Sequence, residues 1–271
     1  MPSPLVRRLV GASLPIGWGI AFLLAWEAFV KLRNVKPFLL PAPSAIWAEL
    51  WKDKARLFDA KQKTLFLTAA QSTATNALVG LLAGIALAIL VALVAQRFTT
   101  IRDLVKPVSA AFNTMPIVAL GPVFYNMLGA TSDAARRVVV AMVAFFPVFV
   151  NMVSGLTQVD PVHQELMRSY AASDASFMAK VRLPNALPFL MTGIRVAASL
   201  SVIAAVVVEY FGGKQNGLGA RVASAMKLSQ TPKAWGYITV AIATGLAFYV
   251  AGLIVESLVL PWQTKRKLSD V

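Results

Sequence analysis

Asp160-Pro161-Val162-His163-Gln164-Glu165-Leu166-Met167-Arg168-Ser169-Tyr170-Ala171-Ala172-Ser173-Asp174-Ala175-Ser176-Phe177-Met178-Ala179-Lys180-Val181-Arg182-Leu183-Pro184 is the longest polar interval in the second half of a chain that otherwise reads as membrane helix. Its left end carries a helix-start signal. Asp160 can accept hydrogen bonds from the first free amides, and Pro161 fits the first helical position, where its missing N–H costs nothing. In the helix that follows, Val162, Leu166, Met167 and Tyr170 fall on one face, with His163, Gln164 and Arg168 on the other. Ser173 or Asp174 caps a second short helix whose apolar side is Phe177, Met178 and Val181, and Leu183-Pro184 then turns the chain back into the bilayer. Two short helices joined at small residues make a knob that suits a groove on a soluble partner.

Composition identifies the solvent. Of 271 residues, 58% are hydrophobic and only 14% charged, with mean hydropathy +0.67; a soluble domain carries about a quarter charged residues. No water-soluble core hides that much apolar side chain, so the bilayer must hold it. The formal charge of +14 comes from Lys and Arg scattered between apolar runs. That pattern fits interfacial anchors on helix ends, not a nucleic-acid stripe. With no Cys, there is no disulfide, thiol nucleophile or Cys-based metal site.

Six apolar runs of roughly 20 residues account for the chain. The first, Leu9 to Trp26, follows Arg7 and Arg8; no small-x-small cleavage site comes after it, so it reads as an uncleaved helix. Lys31 to Lys63 is polar and opens on the Pro-rich piece Pro37 to Pro43. Ser44 then caps a segment in which Ile46, Trp47, Leu50 and Trp51 share a face, as in a helix lying in the headgroup layer. The second span, Ala77 to Ala95, carries Gly80-x-x-x-Gly84, small residues that allow close helix contact. The third, Pro107 to Ser132, is broken by Pro107, Pro116 and Pro122 and contains Asn113, Thr114, Tyr125 and Asn126. Backbone groups freed by proline at membrane depth survive only against protein or a water-filled cavity, which makes this run the first choice for a pathway lining. Val138 to Val159, Leu183 to Tyr210 and Ala234 to Val255 complete the set, with a glycine-rich loop from Gly212 to Lys233 before the last that carries a short amphipathic piece, Val222 to Leu228.

No catalytic constellation is visible, and the lone His163 reads as solvated. No G-x-x-x-x-G-K-[ST] occurs, so this chain does not itself carry a phosphate-binding loop for ATP. Ionisable residues near spans are Glu27, Arg195, Glu209 and Glu256. The three glutamates sit close enough to span ends to reach headgroup water, while Arg195 is deeper and needs a carboxylate, for which Glu256 is the candidate. No deep acidic residue of the kind a proton- or sodium-coupled carrier uses is evident.

The 160–184 stretch resembles the EAA loop of ABC-type importer permeases. Counting back from Leu183-Pro184 puts the motif's Glu at Glu165, its two alanines at Leu166 and Met167, and its Gly at Ala171. Leu40-Pro41-Ala42-Pro43, Met115-Pro116-Ile117-Val118-Ala119-Leu120-Gly121-Pro122, Phe145-Phe146-Pro147 and Gly217-Leu218-Gly219 resemble the nitrate/sulfonate/taurine branch, which includes permeases for pyrimidine and other aromatic precursors. The likeness covers nearly the whole chain.

It implies an all-α polytopic membrane protein of the type I ABC importer permease fold in the bacterial cytoplasmic (inner) membrane. Residues 1–63 would form the tail, first transmembrane helix and interfacial segment. Residues 64–262 would form the core with its cytoplasmic loop 160–184, and 263–271 a basic cytoplasmic tail. The implied partners are two ABC ATPase subunits, which use ATP and Mg while this chain binds no cofactor, a second copy or related permease, and an external substrate-binding protein. Glu165, Leu166, Met167, Arg168, Ser169, Tyr170, Ala171 and Ser173 would couple to the ATPase. Asn113, Thr114, Met115, Tyr125, Asn126, Ser199 and Ser201 would line the pathway, and Gly213, Gly217 and Gly219 would shape the outer mouth. In that orientation 11 Lys and Arg fall on cytoplasmic segments and 14 on external ones, against the positive-inside rule. The rival readings are an ATP-independent carrier or channel and a non-transporting scaffold.

Overall fold

An apolar sequence in a bilayer must satisfy its own backbone, and helices do so within a single segment. The computed structural model describes residues 4–54, 65–96, 98, 104, 107–108, 111, 114, 116–129 and 131–262, and among these there is no strand. The helices are α1 Pro4–Leu32, α2 Pro43–Lys54, α3 Leu65–Ala95, α4 Ile117–Leu128, α5 Ala134–Thr157, α6 Pro161–Ser169, α7 Asp174–Phe177, α8 Leu183–Phe211, α9 Leu218–Lys227 and α10 Thr231–Val259. Among the described residues, four stretches are long and apolar enough to cross a membrane: Leu65–Ala95, Ala134–Thr157, Asp174–Phe211 and Thr231–Val259.

The expected third span is not one continuous helix across its apolar run. Pro116 is extended (ψ 94), and Gly129 at φ 90 ends α4 after 12 residues, about 18 Å of helix against a hydrocarbon core of about 30 Å. Helix α1, 29 residues long, stands beside the bundle, with Trp18 and Phe22 exposed and Trp26 set edge-on to Trp235. Glu27 anchors its end by accepting from Ser44 N (3.0 Å) and Ser44 Oγ (2.7 Å) at the start of α2. The face expected along α2 divides. Ile46 is buried and Leu50 packs beside Phe66 and Tyr237, while Trp47 and Trp51 stack on each other in the open.

The centre of the molecule is α5, clamped between α3 and α8 by small residues. A Cβ on Gly80 would sit 2.6 Å from Val140 Cβ, and one on Gly84 would sit 2.6 Å from the Ala141 carbonyl. On the other side, Gly155 meets Ala186 and Gly193 meets Pro147 and Val148 just as closely. Such approach lets dispersion replace the hydrophobic drive that lipid does not supply. Helix α10 lies at the rim, with only 6% of its most apolar window buried.

Two boundaries differ from the sequence reading. Leu183-Pro184 does not turn the chain: helix runs without interruption from Asp174 to Phe211, through a π turn at Met178–Arg182. In this wide turn the Leu183 N–H reaches back five residues to the Met178 carbonyl, and Pro184, which has no N–H to place, follows in the first turn of α8. Helix α5 also starts at Ala134, not Val138, which brings Arg136 and Arg137 inside it.

Candidate functional site

The hairpin between α5 and α8 is built as its residues dictate. Asp160 Oδ1 accepts from Val162 N at 2.8 Å, with Pro161 in the first helical turn. Ser173 Oγ accepts from Ser176 N at 3.3 Å and caps α7. No residue of α6 is buried: Val162 is 68%, Leu166 48% and Tyr170 75% exposed. The apolar face predicted for this helix is therefore formed and left open. Glu165, Arg168, Ser169, Ala171 and Ser173 are exposed around it, and Met167 is half-buried. At the hairpin's base, Asn185 Nδ2 donates to the carbonyls of Gly155 (2.8 Å) and Gln158 (3.0 Å), tying the end of α5 to the start of α8. Arg182 lies 4.8 Å over the Phe177 ring across the π turn.

Ala171, at the position where the motif has glycine, is in the left-handed region at φ 45. A Cβ is disfavoured there, and glycine is the residue that adopts it freely.

The pathway candidates scatter. Asn113 and Met115 lie outside the described residues. Thr114 and Asn126 are exposed. Tyr125 is 6% exposed, its ring against Gly212 and its hydroxyl against Gly213. Ser201 is fully buried and donates to the Ala198 carbonyl at 2.7 Å, so it faces packing. Ser199, two residues away, opens on a groove of about 570 Å³ between α8 and α10, lined by Ile203, Ala241, Ile242 and Tyr249 among others. A second groove of about 740 Å³ runs between α3 and α10, where Thr68, Gln71 and Thr244 interrupt an apolar wall. Neither groove carries a charged residue.

The glycines of the 212–219 segment sit at close contacts. Gly213 has φ 83. A Cβ on Gly217 would collide with the Glu209 carboxylate, and one on Gly219 with the Val206 carbonyl. Gly217 and Gly219 are buried, and the amphipathic piece expected at Val222 to Leu228 is the later part of helix α9, which begins four residues earlier, at Leu218.

They surround the main feature the sequence reading missed. Glu209, expected to reach headgroup water, has 0% exposure, as does Arg136. Arg136 Nη1 donates to Glu209 Oε1 at 3.1 Å, and Arg136 Nη2 to Asn216 Oδ1 at 3.0 Å. Thr73 Oγ1 donates to Glu209 Oε2 at 2.8 Å, and the Gly219 amide reaches the same oxygen at 3.2 Å. Beyond it, Asp133 holds Arg136 Nη2 and Lys214 Nζ, each at 2.9 Å. Burial raises the Asp133 carboxyl, but the Lys214 ammonium bonded to it and the Arg136 and Arg137 guanidiniums outweigh that and hold it below its ordinary 3.8. The available signal was one carboxylate and one arginine pair, each at the far end of a long apolar run.

Comparison with known proteins fits this architecture. Residues 62–262 match the family described as "Binding-protein-dependent transport system inner membrane component". The formylaminopyrimidine transport permease protein ThiX of Halalkalibacterium halodurans is 28% identical over 96% of this chain and 100% of its own length. The riboflavin transport system permease protein RibX of Chloroflexus aurantiacus is 27% identical over 96% of each. The taurine transport system permease protein TauC of Escherichia coli is 26% identical over 82% of this chain and 78% of its own. A crystal structure of an amino acid ABC transporter with histidines shares the fold, with TM-score 0.56 and 15% identity over 71% of this chain and 92% of that one. With its membrane-length helices and the open hairpin between α5 and α8, the chain belongs to the binding-protein-dependent inner membrane components, the permease subunits of solute importers.

Proposed function

We propose that this permease works with two cytoplasmic ATPase subunits, a second permease chain and an external binding protein, and that it imports a neutral, planar heteroaromatic solute across the bacterial inner membrane. The observation that carries the ATPase partnership is the hairpin. Val162, Leu166 and Tyr170 form an uncovered apolar face on a helix flanked by Glu165 and Arg168, the pattern of a helix that docks in a partner's groove. Its second arm is continuous with the membrane helix ending at Phe211, so a partner that moves the hairpin moves that helix as a lever. ATP and Mg belong to the partner in this reading. The solute class rests on the uncharged grooves and on ThiX and RibX, the relatives matched across nearly this whole chain. Thr114, Asn126 and Ser199 are the pathway residues that this reading retains at open positions, with Asn113 and Met115 on the same run. Gly213, Gly217 and Gly219 would serve the outer mouth by letting backbone pack closely.

The test is reconstitution of the permease, its ATPase and its binding protein in lipid vesicles. Tyr170→Asp removes an exposed aromatic anchor and should weaken ATPase docking by roughly 2 kcal/mol, about thirtyfold, with uptake falling in step. Glu165→Arg should do the same through charge. Uptake that persists without ATP would instead establish the carrier alternative. Competition among a pyrimidine, riboflavin and taurine reads the solute class, and preference for taurine would refute the aromatic assignment.

A further inference from the structure

We propose that Glu209 and Arg136 form a positioning joint that fixes α9 to the far ends of α5 and α8, so that motion of the coupling hairpin reaches the outer mouth as a rigid tilt. This rests on the ATP-driven reading above. Arg136 lies 21 residues before the end of α5, about 31 Å along the helix from the hairpin. The pair is therefore at the opposite end of the bundle.

Four elements meet on one carboxylate. Glu209 comes from α8, Arg136 from α5, Thr73 from α3 and the Gly219 amide from α9. Thr73 Oγ1 also accepts from the Leu218 amide at 2.9 Å. The first amides of α9, which no side chain of its own segment caps, are thus satisfied from α3 and α8. Gly217 and Gly219 bring α9 so close to α8 that any Cβ would strike Glu209 or the Val206 carbonyl. Stability alone does not require such a pair, because packed apolar residues often replace a buried ion pair at no loss. What a directional, fully shared carboxylate adds is a single register for all four elements.

The chain contains no cysteine, so Thr131→Cys and Lys227→Cys place two spin labels cleanly, one ahead of α5 and one at the end of α9, both at exposed positions. In the full chain in bilayers, the joint predicts one narrow distance, unchanged between nucleotide-free and ATP-trapped assembled transporter. Thr73→Val should broaden it. The same change should cut solute imported per ATP about tenfold, the population shift expected for a lost hydrogen bond to a charged group, with hydrolysis nearly unchanged and Thr73→Ser restoring both readouts. A wild-type distance that shifts between the two states overturns the proposal. So does a Thr73→Val protein with narrow distance and unchanged coupling, or one losing hydrolysis and uptake in parallel with Thr73→Ser no better. If hydrolysis never drives uptake, the ATP-driven reading fails, and label widths in the nucleotide-free chain still decide the joint.

Discussion

Arg195 Nη1 on α8 donates to Glu256 Oε2 on α10 at 2.8 Å, with about a quarter of each side chain open. Among the described residues it is the ion pair that ties the rim helix to the central bundle, and α10 comes close there because Gly252 faces the Arg195 backbone. Glu256→Ala strands a guanidinium at membrane depth, at a cost of roughly 2–3 kcal/mol. Arg195→Leu combined with Glu256→Leu should be close to neutral. Thermal unfolding of the purified variants in detergent measures both. A single substitution no worse than the double one would show that the pair does not need its carboxylate.

Ala171 at φ 45 stores local strain at the tip of the hairpin. Ala171→Gly relieves about 1–2 kcal/mol of left-handed strain and gives back about 0.5–1 kcal/mol in chain entropy, so the hairpin should become slightly more stable. Ala171→Val should loosen it. Amide exchange across residues 160–174 in the assembled transporter reads the difference, and faster exchange in the glycine variant would contradict the strain argument.

What the sequence made legible follows from range. The caps at Asp160 and Ser173, the open face of α6, the Gly80–Gly84 seam and the Arg195–Glu256 pair all come from local spacing or from a lone charge that needs a partner. The Glu209–Arg136 joint was not legible, because its four contributors lie up to 146 positions apart (Thr73 to Gly219) and each alone reads as an interfacial polar residue. Leu183-Pro184 misled in the opposite way, since proline usually ends a helix and here a π turn accommodates it.

Gly84 and Gly245 make opposite predictions from the same substitution. A Cβ at Gly84 would lie 2.6 Å from the Ala141 carbonyl and 3.0 Å from Ala144 Cβ, whereas one at Gly245 meets nothing within 4 Å. Gly84→Ala should push α3 off α5 and cost about 1–3 kcal/mol. Gly245→Ala should gain about 0.5–1 kcal/mol from helix propensity. Melting temperatures moving in the same direction for both would remove close packing as the reason for the α3–α5 seam.

Asp133 gives the end of the bundle away from the hairpin an acid-side signature. Its carboxyl is held below the ordinary 3.8, mainly because Lys214 and the two guanidiniums outweigh its burial. A depressed folded-state value means that the charged form is favoured by folding. The stabilisation is therefore complete above about pH 4 and drains away as pH falls below 3.8 and through the folded value. Lys214→Gln removes the bonded ammonium, which raises the folded-state value toward 3.8 and shrinks the contribution at neutral pH. Thermal stability of the two proteins, measured from pH 7 downward, should differ at neutral pH, and the gap should narrow as pH falls below 3.8 and the Asp133 carboxyl protonates. A gap that stays constant across the range would mean that Lys214 acts through packing and not through the Asp133 charge.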